Sequence, residues 1–239
     1  MSYFYAIGGA NYDKKESLKI DLDIIKETKK ESPRVLLIAI ASYDNDKKIE
    51  QFKNYYESLN TKVVVLYTAD MDNTKEEILW QMQHADVIYF TGGVTTKLVT
   101  FIRVYKLRDD LISLCKQGKI IAGVSAGAIM MFNSGFGDKD AYLYNLETVN
   151  HNFVDGSGIF DGVFCPHYQK DGLLVFNDEV KRFPLNGYAL ENGSALKIGC
   201  EGYYVIKEKT CNAFRFLYDE NHKLEYLKEG ILYTDIRLK

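Results

Sequence analysis

The sequence predicts a doubly wound α/β fold: a mostly parallel sheet with helices on both faces and antiparallel strands added near the C-terminus. Three observations carry this. The first two-thirds of the chain alternates apolar runs of strand length with amphipathic segments at helical spacing. The strand runs are apolar throughout, as expected of strands covered on both faces. Past residue 183 the helical segments give way to short strands alone. The fixed hand of strand–helix–strand crossovers then places helices on both sides of the sheet.

The elements follow in order. "YFYAIGG" (3–9) reads as a strand, and 16–30 as a helix with Leu18, Leu22 and Ile25 on one side. "RVLLIAIAS" (34–42) is a continuous apolar strand. The segment 47–59 is amphipathic through Ile49, Phe52, Tyr56 and Leu59. "KVVVLYTA" (62–69) is rich in β-branched residues and reads as a strand. "NTKEEILWQMQHA" (73–85) starts at a good N-cap and carries acids in its first turn, which marks a helix start. "DVIYFTGG" (86–93) is a strand, 95–118 a long helical region ending on glycine, and "KIIAGVSAG" a further strand and turn. The late strands are "GYAL", "SALKIG", "YYVI", "AFRFLY", "LEYL" and "GILYTDI", read as hairpins at a sheet edge. Only three prolines occur in 239 residues, and no repeat or low-complexity linker interrupts them, so a single domain over 1–239 is expected.

Composition narrows the function classes. Hydrophobic residues are 46% and charged residues 26%, ordinary for a globular protein with a substantial core. The net charge of −3 provides no basic field for nucleic acid, and the short lysine pairs lie beside acids as on solvated helix faces. No apolar run has the length of a membrane span, and the N-terminus lacks a signal-peptide pattern, so a cytoplasmic location without nucleic-acid or membrane partners is expected. Cys115, Cys165, Cys200 and Cys211 form no CxxC pair and match no zinc framework; they read as reduced thiols.

The chemistry is concentrated in "GVSAGAIMM" (123–131), where one serine stands between two small residues with a glycine on each side. An apolar strand leads in and an apolar run leads out. A strand that ends where a helix begins can present one side chain on a tight turn, and the close helix requires small neighbours. This is the G-x-S-x-G nucleophile elbow, with Ser125 as the exposed hydroxyl. The Ala126 amide and the helix N-terminus behind it would stabilise an oxyanion. A second glycine turn, "FTGGVTTKL" (90–98), ends the preceding strand. Neighbouring parallel strands end at one sheet edge, so Gly92 and Gly93 are expected to face Ser125 and complete the oxyanion hole.

A serine nucleophile needs a base. Of the four histidines, His84 reads as a cation at a helix C-terminus, His222 as a solvated turn residue and His151 as unrestrained. His167, in "VFCPHY" after an apolar strand and fixed by Pro166, is the best candidate.

Taken in order, "FTGGVTTKL", "GVSAGAIMM", "VFCPHY" and "GYALENGSAL" resemble the dipeptidase E and cyanophycinase family of serine peptidases, whose fold is like that of class I glutamine amidotransferases, a flavodoxin-like three-layer sandwich. The resemblance spans residues 90–196. It implies a hydrolase acting on small peptides, with Ser125 as nucleophile, His167 as base and the Gly93 and Ala126 amides around the oxyanion; no cofactor or metal is expected. The chain departs from the family pattern at Val94, where an asparagine is usual, and at Cys165, where the dipeptidase branch has Asn. The third triad member, an acid in the family, falls on Glu191 or Asn192. Register with Gly193 favours Asn192, while charge tips the expectation slightly to Glu191.

Three other readings compete. An α/β-hydrolase esterase orders its triad Ser, acid, His, which would make His222 the base; here the plausible His precedes the plausible acid. A glutamine amidotransferase would need a cysteine at position 125. A catalytically silent binding protein on the same scaffold is left open by Val94 and Asn192, because fold does not fix function.

Overall fold

The computed structural model of the chain describes residues 3–68, 72–138, 151–168 and 174–238. Its main sheet has seven strands. Five are parallel: β1 (Phe4–Ile7), β2 (Arg34–Ile38), β3 (Lys62–Leu66), β4 (Val87–Phe90) and β5 (Ile120–Val124), in spatial order β1-β5-β4-β2-β3. They are the continuous apolar runs of the sequence. Alternation along each strand sends neighbouring side chains to opposite faces. Tyr5, Ile7, Val35, Leu37, Val87 and Tyr89 therefore face one layer, and Phe4, Ala6, Leu36, Ile38, Ile88 and Phe90 the other.

The first layer holds α1 (Leu18–Glu27) and α2 (Asp46–Glu57), which bury Ile20, Ile24, Ile49, Phe52 and Tyr56 against the sheet. Asn45 caps α2 by accepting the Lys48 amide at 3.1 Å. The second layer holds α3 (Lys75–Gln83), α4 (Thr95–Val104) and α5 (Arg108–Lys116). Thr74 starts α3 with a reciprocal capping box to Glu77. The long helical region expected over 95–118 is two helices, broken where Lys106 takes a φ of 52°. The Leu107 amide there turns back to the Ile102 carbonyl at 2.9 Å, and Leu107 is fully buried.

After β5 the chain makes one helical turn, α6 (Ala126–Ile129), and then enters a second sheet. The second sheet contains β6 (Phe132–Asp138), β7 (His151–Asp155), β8 (Phe160–Cys165), β9 (Gly187–Leu190), β12 (Ala213–Leu217) and β13 (Lys223–Tyr226), in order β13-β12-β9-β8-β6-β7. Phe132, Phe160, Phe164 and Tyr188 join the same core as the second helix layer. On its other side, Phe136, Val163, Cys165, Phe176 and Phe214 form a core of their own with α7 (Leu174–Glu179).

The antiparallel strands near the C-terminus are present, but they divide between the two sheets. β10 (Ser194–Ile198) and β11 (Tyr203–Lys207) extend the main sheet beside β1, whereas β9, β12 and β13 build the second sheet. The segment "GILYTDI" forms no strand. It contributes a single bridge, Tyr233 to Tyr203.

Candidate active site

The sheet registers bring the singled-out residues together. Ile7 lies beside Val124, and Phe90 beside Gly123, so Gly8, Gly92 and Ser125 leave the main sheet at one edge. The Ser125 amide donates to the Ile7 carbonyl at 3.0 Å. In the second sheet β8 and β9 are parallel, with Cys165 beside Ala189, so His167 and Asn192 emerge side by side. The Gly8–Gly9 backbone joins the two sets: the His167 amide donates to Gly8 O at 3.0 Å and the Gly193 amide to Gly9 O at 2.9 Å. A Cβ on Gly9 would collide with the Asn192 Oδ1 and, at 2.6 Å, with His167 Nδ1, so only a bare backbone fits between them.

Ser125 occupies the sharp turn between β5 and α6, with φ 55° and ψ −110°, outside the ordinary regions for a side-chain-bearing residue. The flanking glycines make the turn possible. A Cβ on Gly123 would strike the Gly127 carbonyl, and one on Gly127 the Phe90 carbonyl. The apolar run that follows is a helix of only four residues, so the aligned-dipole contribution expected there shrinks to that of the first amides. The Ala126 amide, first in that turn, has no acceptor within its own helix. Gly92 lies alongside: a Cβ there would sit 3.1 Å from that of Ser125. Next to it, Gly93 has φ 143° and packs against the Ala41 carbonyl, which accepts the Val94 amide at 2.7 Å.

A line of hydrogen bonds starts at Ser125. Its Oγ is 2.8 Å from His167 Nε2, and His167 Nδ1 is 2.7 Å from Asn192 Oδ1. An amide oxygen only accepts, so Nδ1 carries the proton and Nε2 accepts from the serine hydroxyl. His167, like Ser125, has positive φ, 52°.

The slight preference for Glu191 beside His167 is corrected. Its carboxylate turns the other way, accepting the Asn212 amide at 2.8 Å and the Asn212 side chain at 3.3 Å. The Glu191 backbone is held in the same direction, its amide donating to the Asn212 carbonyl at 3.1 Å, while Asn192 begins the turn to the next strand and faces His167. Asn192 Nδ2 instead donates to Glu16 Oε2 at 3.4 Å. Sequence reading missed Glu16, and with it the role of Gly8–Gly9; Glu16 sits in a polar stretch 176 positions from Asn192.

The other histidines lie elsewhere. His84 caps the C-terminus of α3, its Nδ1 2.7 Å from Trp80 O. His222, expected in solvent, is buried with Nε2 3.1 Å from Phe183 O, because the turn folds back under the Tyr218 ring. The side chain of His151 lies outside the described residues. Cys165, two residues before His167, is fully buried, and burial holds its thiol well above the ordinary range. Among the described residues no cluster of His, Cys, Asp and Glu could hold a metal, all four cysteines are free, and no helix is long and apolar enough to cross a membrane.

The model of peptidase family S51 matches residues 4–206. The chain belongs to peptidase family S51. Its similarity to an uncharacterized peptidase of Bacillus subtilis (strain 168), YgaJ, is 29% identity over 200 residues, 82% of this chain and 83% of that one. Among solved structures, a peptidase from an acI-B1 actinobacterium covers 98% of this chain and 97% of its own, with a TM-score of 0.71 and 17% identity. A peptidase E candidate from Listeria monocytogenes EGD-e covers 87% of this chain and 100% of its own, with a TM-score of 0.64 and 19% identity. The family supports a peptidase like dipeptidase E, and the structural likenesses support the mixed α/β fold.

Proposed function

We propose that this S51 member is a serine-type peptidase that hydrolyses small peptides by acyl transfer. Ser125 attacks the scissile carbonyl while His167 takes its proton through Nε2. The Gly92–Gly93 and Ala126 amides hold the oxyanion of the tetrahedral intermediate. His167 then returns the proton to the leaving amine, and water repeats the sequence on the acyl-enzyme to release the acid. Asn192 orients the imidazole. A neutral amide stabilises the imidazolium less than a carboxylate does, so turnover is expected to be lower than for a site with an acid there.

The observation that carries this reading is the 2.8 Å separation of Ser125 Oγ and His167 Nε2 at a turn whose backbone is strained. Strain of this kind, on the order of 1–3 kcal/mol, persists where function requires it. The test is a fluorophosphonate probe, which needs no knowledge of the substrate. The native chain should be modified once and Ser125→Ala not at all; equal labelling of the two would sink the assignment. A second reading, a silent binding protein on this scaffold, draws on the neutral Asn192. It predicts no labelling of the native chain under the same conditions.

A further inference from the structure

Asn192 raises a problem that an acid would not. A carboxylate presents an acceptor from either oxygen, but an asparagine amide has two unlike ends of nearly equal shape. With Oδ1 toward His167, Nδ1 carries the proton and Nε2 is free to act as base. With Nδ2 there, the amide would donate to Nδ1, the proton would move to Nε2, and the imidazole could no longer take one from Ser125. Something must hold the amide in the first orientation.

We infer that Glu16 is the positioning residue that holds it: the Glu16 carboxylate, 3.4 Å from Asn192 Nδ2, selects the amide orientation and through it the tautomer of His167. An ionised carboxylate only accepts, so it pairs with the NH2 end of Asn192 and repels the oxygen end. It also brings a negative charge close to a site whose third member is neutral. The inference rests on the reading of Ser125 and His167 as nucleophile and base.

Glu16 is held in reach by its backbone and by the residues around it. Its amide donates to Asn11 O at 3.1 Å, and its carbonyl packs against Gly193, where a Cβ would lie 2.6 Å away. The next residue, Ser17, is fully buried and donates through Oγ to the buried Asp21 at 2.7 Å. The Glu16 side chain is therefore replaceable without removing what shapes its loop.

The test uses the full chain as wild type, Glu16→Gln, Asn192→Asp and the double variant. The His167 tautomer is read from imidazole nitrogen shifts in protein carrying labelled histidine, with His167→Gln assigning the signal. Wild type should show one tautomer, protonated on Nδ1. Glu16→Gln should show a mixture, because a glutamine amide pairs with either end of Asn192. Glu16→Ala, with no polar end, should do the same. Fluorophosphonate labelling of Glu16→Gln should slow about two-fold or more, in proportion to the share of His167 that leaves the Nδ1-protonated tautomer. In the Asn192→Asp background no orientation remains to be chosen, and two carboxylates stand close together. There, Glu16→Gln should not slow labelling and should speed it. An unchanged tautomer in Glu16→Gln, or equal slowing in both backgrounds, overturns the positioning role. A wild type that fails to label but whose tautomer responds to Glu16 overturns the nucleophile reading and leaves the positioning role standing.

Discussion

At the scale of single residues, the site joins two strained backbones with one unusual partner. Ser125 and His167 both take positive φ, which glycine would adopt at lower cost, yet each position carries a side chain of the proposed site. Glu191 and Asn192 divide two tasks that the sequence alone leaves entangled. Glu191 fastens the end of β9 to Asn212, and Asn192 faces His167. Asn192→Ala should therefore cut fluorophosphonate labelling on the order of 100-fold by freeing the imidazole, a loss short of that for a triad carboxylate. Glu191→Ala should leave labelling within a few-fold of wild type and lower stability by about 1 kcal/mol, measured by denaturant unfolding. The reverse pattern would return the third position to Glu191. Ser125 and His167 were legible because local sequence constrains them: paired glycines around one, a proline before the other. Glu16 was not, because only the closed fold brings residues 16 and 192 together.

At the scale of elements, the turn at Ser125 depends on the helix after it lying unusually close to the sheet. Gly127 faces the Phe90 carbonyl of β4, so the spacing is set by backbone against backbone. Gly127→Ala cannot be absorbed by a rotamer change. It should cost 3 kcal/mol or more, on the order expected for overpacking in a rigid core, and should abolish labelling even in the fraction that folds. A variant that labels normally at wild-type stability would mean that α6 has room to move. Four of the five parallel strands were legible because burial leaves them almost wholly apolar; β3, at the sheet edge and only half-buried, was legible from its run of valines. The destinations of the later strands were not. β9 and β10 are joined by only three residues, Glu191-Asn192-Gly193, yet they belong to different sheets. Short apolar runs say that a strand forms, and their partners are set by packing far along the chain. The break between α4 and α5 was hidden for a related reason: the apolar spacing continues across it, and the turn shows only in the left-handed backbone of Lys106 and the Leu107 amide bonding back to Ile102.

At the scale of the whole molecule, one buried carboxylate ties α1 to α2 in the first helix layer and makes stability depend on pH. Asp21 of α1 is fully buried and accepts hydroxyl protons from Tyr56 at 2.6 Å, Ser17 at 2.7 Å and Tyr55 at 2.9 Å. No cation pairs with it among these contacts, and the Tyr12–Tyr89 hydroxyl pair lies nearby, joined at 3.1 Å. Burial pushes its carboxyl from 3.8 up to about 6; the three hydrogen bonds oppose this, and the charge of Glu208 adds to it. The folded chain thus binds a proton here more tightly than the unfolded chain does. The stabilisation from the neutral carboxyl is fully present below about pH 4 and is lost as pH rises through about 6, a difference of about 3 kcal/mol. Surface carboxylates in ion pairs act in the opposite direction, as with Glu229 beside Lys19, whose carboxyl is held below its usual range, so the total curve hides the contribution of Asp21. The difference from Asp21→Asn isolates it. The variant keeps the shape and much of the hydrogen bonding but never ionises. Between pH 4 and pH 7 the unfolding free energy of wild type should fall relative to that of Asp21→Asn by about 3 kcal/mol, most of it between the two pKa values. Parallel curves across this range would mean that Asp21 is charged throughout, and that three hydroxyl donors suffice to keep a carboxylate in this core.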